Sequence, residues 1–415
     1  MEVKSGYKLT EVGVIPDDWE TSKVGEVCNF IVPGRNKPKL FDGDIPWITT
    51  PDLQEGRAVS ISRLGLCLSP AEAKSVGSKI VPPGSVLMSC TGELGIVAIT
   101  ETEMVINQQL HAFIPTEKIE GQFLLNALSF QKEQIAGYGT KTAVPYLNKT
   151  ACNSIYVPLP SIPEQTAIAT ALSDVDALLD GLDRLIAKKR DLKQAAMQQL
   201  LTGETRLPGF EGEWEVRRLG DHVTFLRNGV NSRAELTLDD PVKYLHYGDI
   251  HSCTSVMLEP ASLPSLPSGK AKTLERLRDG DLIFADASED LVGVSKSVEI
   301  SNLCDAELVA GLHTIAARFD KAVLADGFKA YLQFCPAFSS HLRRLAAGTK
   351  VYATNRSHIA SVEMRLPGIK EQEAIAATFN DMDAEIAALE QRRNKTKDIK
   401  QAMMQELLTG RTRLV

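Results

Sequence analysis

The feature that most constrains this chain is an internal repeat that contains no gap. Residues 159–207 read LPSIPEQTAIATALSDVDALLDGLDRLIAKKRDLKQAAMQQLLTGETRL, and residues 366–414 read LPGIKEQEAIAATFNDMDAEIAALEQRRNKTKDIKQAMMQELLTGRTRL. About half of the paired positions are identical, and the same spacing separates Glu164 from Glu371 and Gly203 from Gly410. A repeat of this kind predicts two copies of one structural unit rather than a single continuous domain.

A weaker echo precedes each copy of the repeat. Trp19-Glu20 matches Trp214-Glu215, and Leu110-His111 matches Leu312-His313, although insertions and deletions make the spacing drift. The chain is therefore a variable part followed by a constant part, written twice. We place the variable domains at 1–160 and 207–367, and the constant segments at 161–206 and 368–415.

Each constant segment has the apolar spacing of a long helix. Apolar residues step by three and four positions, which is the seam pattern of a coiled coil. We assign helix pairing to Ile168, Leu172, Val175, Leu179, Leu182 and Ile186 in the first copy and to Ile375, Phe379, Met382, Ile386 and Leu389 in the second. About forty residues at about 1.5 Å each predict a helix of roughly 60 Å, and a helix of this length typically serves as a spacer or pairing element.

The charges on these helices predict how they pair. The first half of each helix is acidic and the second half is basic, so a parallel pair would set acid against acid. An antiparallel pair instead sets Asp176 near Lys395 and Arg190 near Asp381. We therefore predict an antiparallel coiled coil within the chain; the alternative is two helices that dock separately on their own domains.

The variable domains have a mixed pattern. Short β-rich runs such as 86–88, 96–99 and 282–284 alternate with glycine and proline turns, and helical patterns occupy 122–135 and 328–345. The predicted fold class is α/β, in the mixed α+β sense. It consists of two tandem domains, each followed by a long helix.

Composition excludes several classes of protein. No apolar run approaches the roughly 18 residues that span a bilayer, and residues 1–8 lack the apolar stretch of a signal peptide. Seven scattered cysteines indicate reduced thiols, so we expect a cytoplasmic protein with no membrane contact and no metal site. The formal net charge of −7 argues against strong DNA binding by the chain as a whole, so any such binding must use local basic loops.

The paired segments resemble those of a known family. Ile15–Glu20, Pro158–Gln165 and Leu200–Gly203 resemble the specificity subunits of type I restriction–modification enzymes. The resemblance covers essentially the whole chain, including the duplication. It implies two target-recognition domains that each read one half of a split, asymmetric site in double-stranded DNA.

The same resemblance implies that the chain works with partner subunits. Its helices would set the spacing of the half-sites and bind two methyltransferase subunits, and restriction would add two motor-nuclease subunits. The chain itself would hold no cofactor, because S-adenosylmethionine, ATP and Mg belong to those partners in the family. The chain has no Asn-Pro-Pro-Tyr methylation motif and no phosphate-binding loop, which agrees with a non-catalytic subunit.

Basic loops lie near the start and the end of each variable domain and are our candidates for DNA contact. Arginine and lysine suit guanine edges and phosphates, asparagine suits adenine, and tyrosine can stack or reach a phosphate. The candidates are Arg35, Lys37 and Lys39; Lys141, Tyr146, Asn148 and Lys149; Arg227, Asn228, Asn231 and Arg233; and Lys350, Tyr352, Asn355 and Arg356. Their corresponding places in both halves favour them, whereas the alternative is that these loops are only solvated surface.

Other conspicuous residues favour structural interpretations. His111 and His313 have apolar neighbours, so we predict that both are buried core histidines. Asp52, Glu72 and Lys74 match a loose nuclease pattern, but the second half has no counterpart of the last two. Two rival functions stay open: a coiled-coil scaffold whose α/β heads bind protein rather than DNA, and a stand-alone endonuclease using Glu72 and Lys74.

Overall fold

The computed structural model describes residues 4–34, 36–348 and 350–414. The candidate Arg35 therefore lies outside the described residues. Contacts divide the chain into two compact units, Met1–Asp183 with Gln391–Val415, and Arg184–Glu390. The boundaries between these units fall near the middle of both long helices. The boundaries predicted from the sequence instead gave each helix a segment of its own, 161–206 and 368–415. Each unit thus holds one sheet-containing domain and half of each helix.

The first domain alternates short strands with short helices. Its strands are Tyr7–Thr10, Gly13–Pro16, Glu20–Lys23, Cys28–Ile31, Ile45–Ile48, Arg57–Val59, Cys67–Leu68, Val86–Ser89, Val97–Thr100, Val105–Ile106, Leu110–Pro115 and Tyr156–Leu159. Its helices are Val24–Val27, Pro70–Ser75, Gly121–Phe130, Lys132–Gly137 and Lys149–Asn153, and the first long helix follows at Ile162–Leu200.

The second domain is built in the same way. Its strands are Glu215–Arg218, Val223–Phe225, Val242–Leu245, Met257–Leu258, Ser265–Leu266, Leu282–Ala285, Ala287–Ser288, Ser297–Ile300, Glu307–Ala310, Thr314–Phe319, Tyr352–Ala353 and Glu363–Leu366. Its α-helices are Tyr247–Ser252, Ser268–Ala271, Pro336–Leu345 and Arg356–Ala360, and the second long helix follows at Ile369–Leu407. The predicted mixed α/β class, with a long helix after each domain, is confirmed.

A five-stranded sheet of one topology forms the centre of each domain. The order is Cys28–Ile31, Leu110–Pro115, Val86–Ser89, Val97–Thr100 and Arg57–Val59 in the first, and Val223–Phe225, Thr314–Phe319, Leu282–Ala285, Ser297–Ile300 and Met257–Leu258 in the second. In both sheets the last pairing is parallel and the others are antiparallel. The six-residue second strand, which we call the long strand, is buried at its start in both domains.

The strand register corrects one match made from the sequence. Phe113 pairs with Val86 in the first sheet, and Ala317 pairs with Leu282 at the same place in the second. The residue just before the long strand is therefore Gln109 in one domain and His313 in the other. The match of His111 to His313 was wrong by two residues, because a shared Leu-His pair outweighed the strand register.

The two histidines consequently have different environments. His111 is 2% exposed, and its Nε2 lies 3.0 Å from Asn153 Oδ1. Burial lowers the pKa of His111 to about 4, so the ring is neutral near pH 7. The buried-histidine prediction is confirmed for His111 and is wrong for His313, whose side chain is 53% exposed.

Two predicted helices are interrupted. The pattern at 122–135 forms two helices that meet at Gln131, and the pattern at 328–345 forms a 3₁₀ turn, Lys329–Phe334, before the helix Pro336–Leu345. Proline lacks the N–H that a continuous helix would need at that position, so Pro336 starts a new helix rather than extending the turn.

Within each unit the two long helices run antiparallel, as the sequence predicts. In the first unit Lys400 Nζ lies 2.7 Å from Asp176 Oδ2, and Arg393 lies 3.4 Å from Asp183. In the second unit Lys189 Nζ lies 2.7 Å from Glu385 Oε1, and Lys193 Nζ lies 2.5 Å from Asp383 Oδ1. Rising numbers on one helix thus meet falling numbers on the other.

The predicted partners of individual charges were nevertheless wrong. Asp176 binds Lys400 instead of Lys395, and Arg190 binds Glu390 instead of Asp381. Each helix offers several lysines and arginines within two turns, so charge alone fixes the direction of the pair better than its register.

The residues assigned to helix pairing lie in three places. Ile168 and Leu172 are buried in the core of the first domain, and Ile375 and Phe379 are buried in the core of the second. Further along the helices the buried members are Leu179, Leu182, Ile186 and Ile386, and the partly buried ones are Val175, Met382 and Leu389. The assignment of the whole set to helix pairing stays a prediction.

The identical Glu-Gln dipeptides of the repeat attach each long helix to its domain. The Glu164 carboxylate, which is 1% exposed, accepts hydrogen bonds from Trp19 Nε1 at 3.1 Å and from the guanidinium of Arg413. Glu371, which is 3% exposed, accepts two from the guanidinium of Arg206. Arg413 follows the second long helix but binds Glu164 of the first domain, and Arg206 follows the first long helix but binds Glu371 of the second domain. The end of each long helix is therefore bound by the glutamate at the start of the other.

The shared glycines after the long helices have a steric reason. Gly203 and Gly410 have φ values of 75° and 66°, a left-handed conformation that stops a helix. A Cβ at Gly203 would lie 3.3 Å from the Trp214 ring, and one at Gly410 would lie 2.5 Å from Pro16. These contacts explain why both copies keep a glycine at this point.

Candidate nucleic-acid interface

The predicted basic loops meet at one end of each five-stranded sheet. The long strand is antiparallel to both of its neighbours, so the loops that follow those neighbours lie beside the loop that precedes the long strand. In the first domain these are the loops at 32–44, 90–96 and 107–109, and in the second those at 226–241, 286–296 and 311–313. We call this edge the loop end of each domain.

In the first domain the late basic loop, 141–149, joins the loop end through backbone hydrogen bonds. Leu147 N donates to Cys90 O at 2.9 Å, and Gly92 N donates to Pro145 O at 2.9 Å. Lys149 Nζ lies 4.6 Å from the centroid of the Phe30 ring, just before the early basic loop. The structure therefore brings together two loops that are about a hundred residues apart in sequence.

The second domain repeats this arrangement. The Arg356 guanidinium donates to Leu226 O at 2.8 Å and lies 5.9 Å from the Phe225 ring. Thr354 N donates to Asp286 O at 2.8 Å, which ties the late loop to the end of a central strand. Arg356 and Phe225 thus correspond to Lys149 and Phe30 of the first domain.

Several candidate DNA contacts have exposed side chains. The described exposed candidates are Lys37, Lys39, Lys141, Tyr146, Asn148, Lys149, Arg227, Arg233, Lys350, Asn355 and Arg356, whereas Asn228, Asn231 and Tyr352 are partly buried. Lysine and arginine side chains in the early and late basic loops of each domain supply local positive charge, although the net charge of the chain is negative.

Other candidates already have structural roles. Asn148 and Asn355 cap helices, because each side-chain oxygen accepts a backbone N–H, from Ala151 at 2.9 Å and from His358 at 3.0 Å. Arg233 donates to Asp249 Oδ1 at 2.6 Å. A base contact from any of these side chains would have to share or replace these hydrogen bonds.

In the second domain, hydrogen bonds from the early basic loop, 227–233, and from Lys270 hold the carboxylate of Glu235. Asn231 Nδ2 donates to Glu235 Oε1 at 3.0 Å, and Lys270 Nζ donates to the same carboxylate at 2.7 Å. These contacts, the lysine first, lower the pKa of Glu235 to about 2. The loop is consequently held at Asn231, although its neighbours Val230 and Arg233 are exposed.

The structure adds a cleft at each loop end that the sequence did not reveal. In the first domain it measures about 230 Å³ and is lined by Lys37, Trp47 and the loop at 107–109. In the second it measures about 480 Å³ and is lined by Tyr247, His251 and His313 together with the loop at 287–290. The basic composition of the loop around Pro33–Pro38 indicated a DNA contact from the sequence alone. Nothing in the sequence indicated such a contact for Gln109 or His313, because their equivalence depends on strand register.

The residues of the loose nuclease pattern have structural roles. Asp52 is 7% exposed, and its carboxylate accepts N–H groups from Thr49 and Arg63, each at 2.7 Å. Glu72 accepts the Lys39 N–H at 2.6 Å, which lowers its pKa. Both carboxylates therefore hold loops in place.

The described ranges contain neither a metal-type cluster nor a membrane-type helix. No group of three or more histidine, cysteine, aspartate or glutamate side chains within them is placed to hold a metal ion. None of the described helices is both long enough and apolar enough to cross a membrane.

Comparisons with known proteins agree with this architecture. The profile of the type I restriction modification DNA specificity domain matches residues 16–188. The type I restriction enzyme MjaIX specificity subunit of Methanocaldococcus jannaschii is 25% identical over 305 residues, which cover 69% of this chain and 70% of the relative. The putative MjaX specificity subunit of the same organism is 24% identical, with 99% of this chain and 97% of the relative covered.

The fold has a solved counterpart of nearly the same extent. The S subunit of a type I restriction-modification system from M. genitalium matches with a TM-score of 0.58 at 12% identity, covering 98% of both chains. The profile match, the full-length relatives and the duplicated domain-and-helix architecture make the chain similar to the specificity subunits of type I restriction–modification enzymes.

Proposed function

We propose that the chain reads a bipartite, asymmetric site in double-stranded DNA, with one half-site for each domain. The observation that carries this proposal is that two domains of one sheet topology have unlike loop ends. The first loop end carries Gln108 and Gln109, and the second carries His313 and His251. Identical heads would read a palindrome, whereas chemically unlike heads require two different half-sites.

The constant segments supply the second part of the proposal, the recruitment of partners. Leu185 and Leu192 lie on the first long helix in the second unit and are 39% and 48% exposed. Their seven-residue spacing puts them on one helix face, and exposed apolar faces of this kind suit protein partners. We assign this role to two methyltransferase subunits, with two motor-nuclease subunits added for restriction.

In this proposal the chemistry resides in the partners. The methyltransferase subunits bring S-adenosylmethionine, and the motor-nuclease subunits bring ATP and Mg. The long helices, each of 39 residues and so about 58 Å long, set the number of bases between the half-sites.

The test is base-modification sequencing of genomic DNA from a host that carries this chain with a cognate methyltransferase subunit. We expect a split methylated motif that disappears when this chain is deleted and returns when it is restored. An unchanged motif after deletion, with the methyltransferase shown to be expressed, would instead support a scaffold whose heads bind protein.

A further inference from the structure

We propose that the residue just before the long strand of each sheet contacts and selects a base: Gln109 in the first domain, where the base is adenine, and His313 in the second. This inference rests on the proposed function and goes beyond it by naming the selecting residues. Neither residue belongs to the basic loops that the sequence singled out.

The position is fixed by backbone pairing in both domains. Leu110 pairs with Ser89 and Thr314 pairs with Ala285, so the residues before them occupy the same place at the two loop ends. Gln109 O accepts a hydrogen bond from Cys90 N at 2.8 Å, which holds the loop against the strand. A side chain at this place projects from a rigid element, as precise recognition of a base requires.

The Gln109 side chain is held in one orientation. Asn107 Nδ2 donates to Gln109 Oε1 at 3.0 Å, and Gln109 N donates to Asn107 Oδ1 at 3.1 Å. Within the described ranges the Gln109 Nε2 group has no protein acceptor, and Oε1 keeps a second lone pair. An amide in this state can donate to adenine N7 and accept from adenine N6 at the same time.

Groups that suit DNA surround this amide. Lys37 lines the same cleft and is exposed, so its ammonium can neutralise a neighbouring phosphate. Gln108 is also exposed in the cleft and offers a second amide beside the first. No carboxylate is among the described residues that line this cleft, whereas Glu289 and Asp290 line the cleft of the second domain.

The second loop end offers different chemistry at the equivalent position. His313 has a φ of 57°, and its Nδ1 lies 3.2 Å from Asp286 Oδ1. With that carboxylate as acceptor the proton is on Nδ1, so Nε2 of the neutral ring is an acceptor. Glu289 and Asp290 line the same cleft and add acceptors, so this end does not reproduce the donor and acceptor pair of Gln109.

The experiment substitutes Gln109 in the full chain, expressed with its methyltransferase, and reads the methylated motif by base-modification sequencing. We expect Gln109→Leu to relax the specificity for adenine at one position of one half-site. Discrimination against other bases at that position should fall by roughly 5- to 150-fold, which is the contribution of one bidentate contact. The other half-site should be unchanged. Gln109→Glu keeps the volume and the bond from Asn107 but loses the donor, so it should shift the preference from adenine towards cytosine.

Two further variants complete the test. Gln122→Leu removes the same groups from the helix Gly121–Phe130, which follows the far end of the long strand, and should leave the motif unchanged. His313→Asn tolerates the positive φ and should alter only the half-site that Gln109→Leu leaves intact.

The outcomes separate this inference from the proposed function. An unchanged motif in both Gln109 variants would overturn the inference, while methylation that still depends on the chain would leave the proposed function standing. Loss of all methylation in both Gln109 variants, with Gln122→Leu active, would make Gln109 a structural residue and would also overturn the inference. Relaxation of the same half-site by Gln109→Leu and His313→Asn would contradict the separate roles of the two residues.

Discussion

The two domains share a strand order but differ in what they bury beneath it. Ile99 and Glu299 occupy the same place in the two sheets, opposite Val86 and Leu282. Leu124 and Lys329 occupy the same place in the element that packs on the sheet, each four residues after the N–H bound by Gln165 or Gln372. The first domain thus holds an apolar pair where the second holds a buried acid and base.

This difference shows which interactions the topology depends on. The backbone pairing and the glutamines that close the turn before each long helix are the same in both domains. Glu299 in the second domain accepts the N–H groups of Gly327 at 2.7 Å and Ala330 at 2.9 Å. The fold therefore tolerates exchange of a whole interior pair, provided that the buried polar groups find partners.

The largest expected effect comes from breaking the buried pair of the second domain. Lys329 is 1% exposed, and its Nζ lies 2.6 Å from Asp326 and 3.9 Å from Glu299. Lys329→Leu should lower the free energy of unfolding of the second unit by about 3–5 kcal/mol at pH 8, because it leaves a buried carboxylate without a cation. Hydrogen exchange measures this loss unit by unit.

The matched control is Lys321→Leu. Lys321 binds the same Asp326 at 2.6 Å, but its side chain is 64% exposed. Its removal should cost no more than about 1 kcal/mol, as for other exposed ion pairs. Equal small losses in both variants would mean that Glu299 does not depend on Lys329.

A smaller contrast is expected where the long helices join the domains. Glu164 accepts a hydrogen bond from Trp19 Nε1, whereas the buried Trp214 Nε1 has no hydrogen-bond partner in the described part of the chain. Arg206→Met should therefore destabilise the second unit by about 2–3 kcal/mol, and Arg413→Met should destabilise the first unit by about 1 kcal/mol less. Urea unfolding followed by hydrogen exchange measures both losses.

The indole contact can be removed to check this explanation. Trp19→Phe replaces the indole with a smaller aromatic ring that has no N–H, so in that background Arg413→Met should cost as much as Arg206→Met. A difference that persisted without the Trp19 N–H would refute the role given to the indole.

The last contrast is a decline in stability with rising pH that only the second unit should show, because the lowered pKa of His111 makes the stability of the first unit rise over the same range. Burial raises the pKa of Glu299 from 4.5 to about 7, while Lys329 and two backbone N–H groups oppose the shift. The folded state then holds this proton more tightly than the unfolded state does. The contribution of Glu299 to the free energy of unfolding is therefore greatest below pH 4.5, and it falls as the pH rises to about 7.

The measurement is the free energy of unfolding of each unit between pH 4.5 and 8. Asp326 does not confuse the result, because its pKa is lowered and it titrates below this window. Glu299→Gln should remove the decline in the second unit. A decline of equal size in the first unit, which has Ile99 at this place, would show that other groups are responsible.

The sequence predicted the parts of the fold that depend on periodicity. The repeat predicted two similar domains, and the apolar spacing predicted long helices, found at Ile162–Leu200 and Ile369–Leu407. The acidic and basic halves predicted their antiparallel direction. The specific ion pairs were wrong, because many neighbouring charges satisfy the same rule at several registers.

The loop ends were predictable only in part. Basic composition drew attention to the early and late loops, which the structure brings together through contacts such as Arg356 with Leu226. Gln109 and His313 gave no such signal, because the residues around them differ and a shared Leu-His pair misaligned the two halves. Strand pairing over long separations, which fixes their equivalence, leaves no local pattern in sequence.

The most direct test of two independent reading heads is to make the heads identical. Residues 16–160 would be replaced by a copy of residues 211–367, and the methylated motif would be determined by base-modification sequencing with the methyltransferase present. We predict that the second domain's half-site appears twice as an inverted repeat, with the first half-site lost. An asymmetric motif that retained the original first half-site would contradict the assignment of one half-site to each domain.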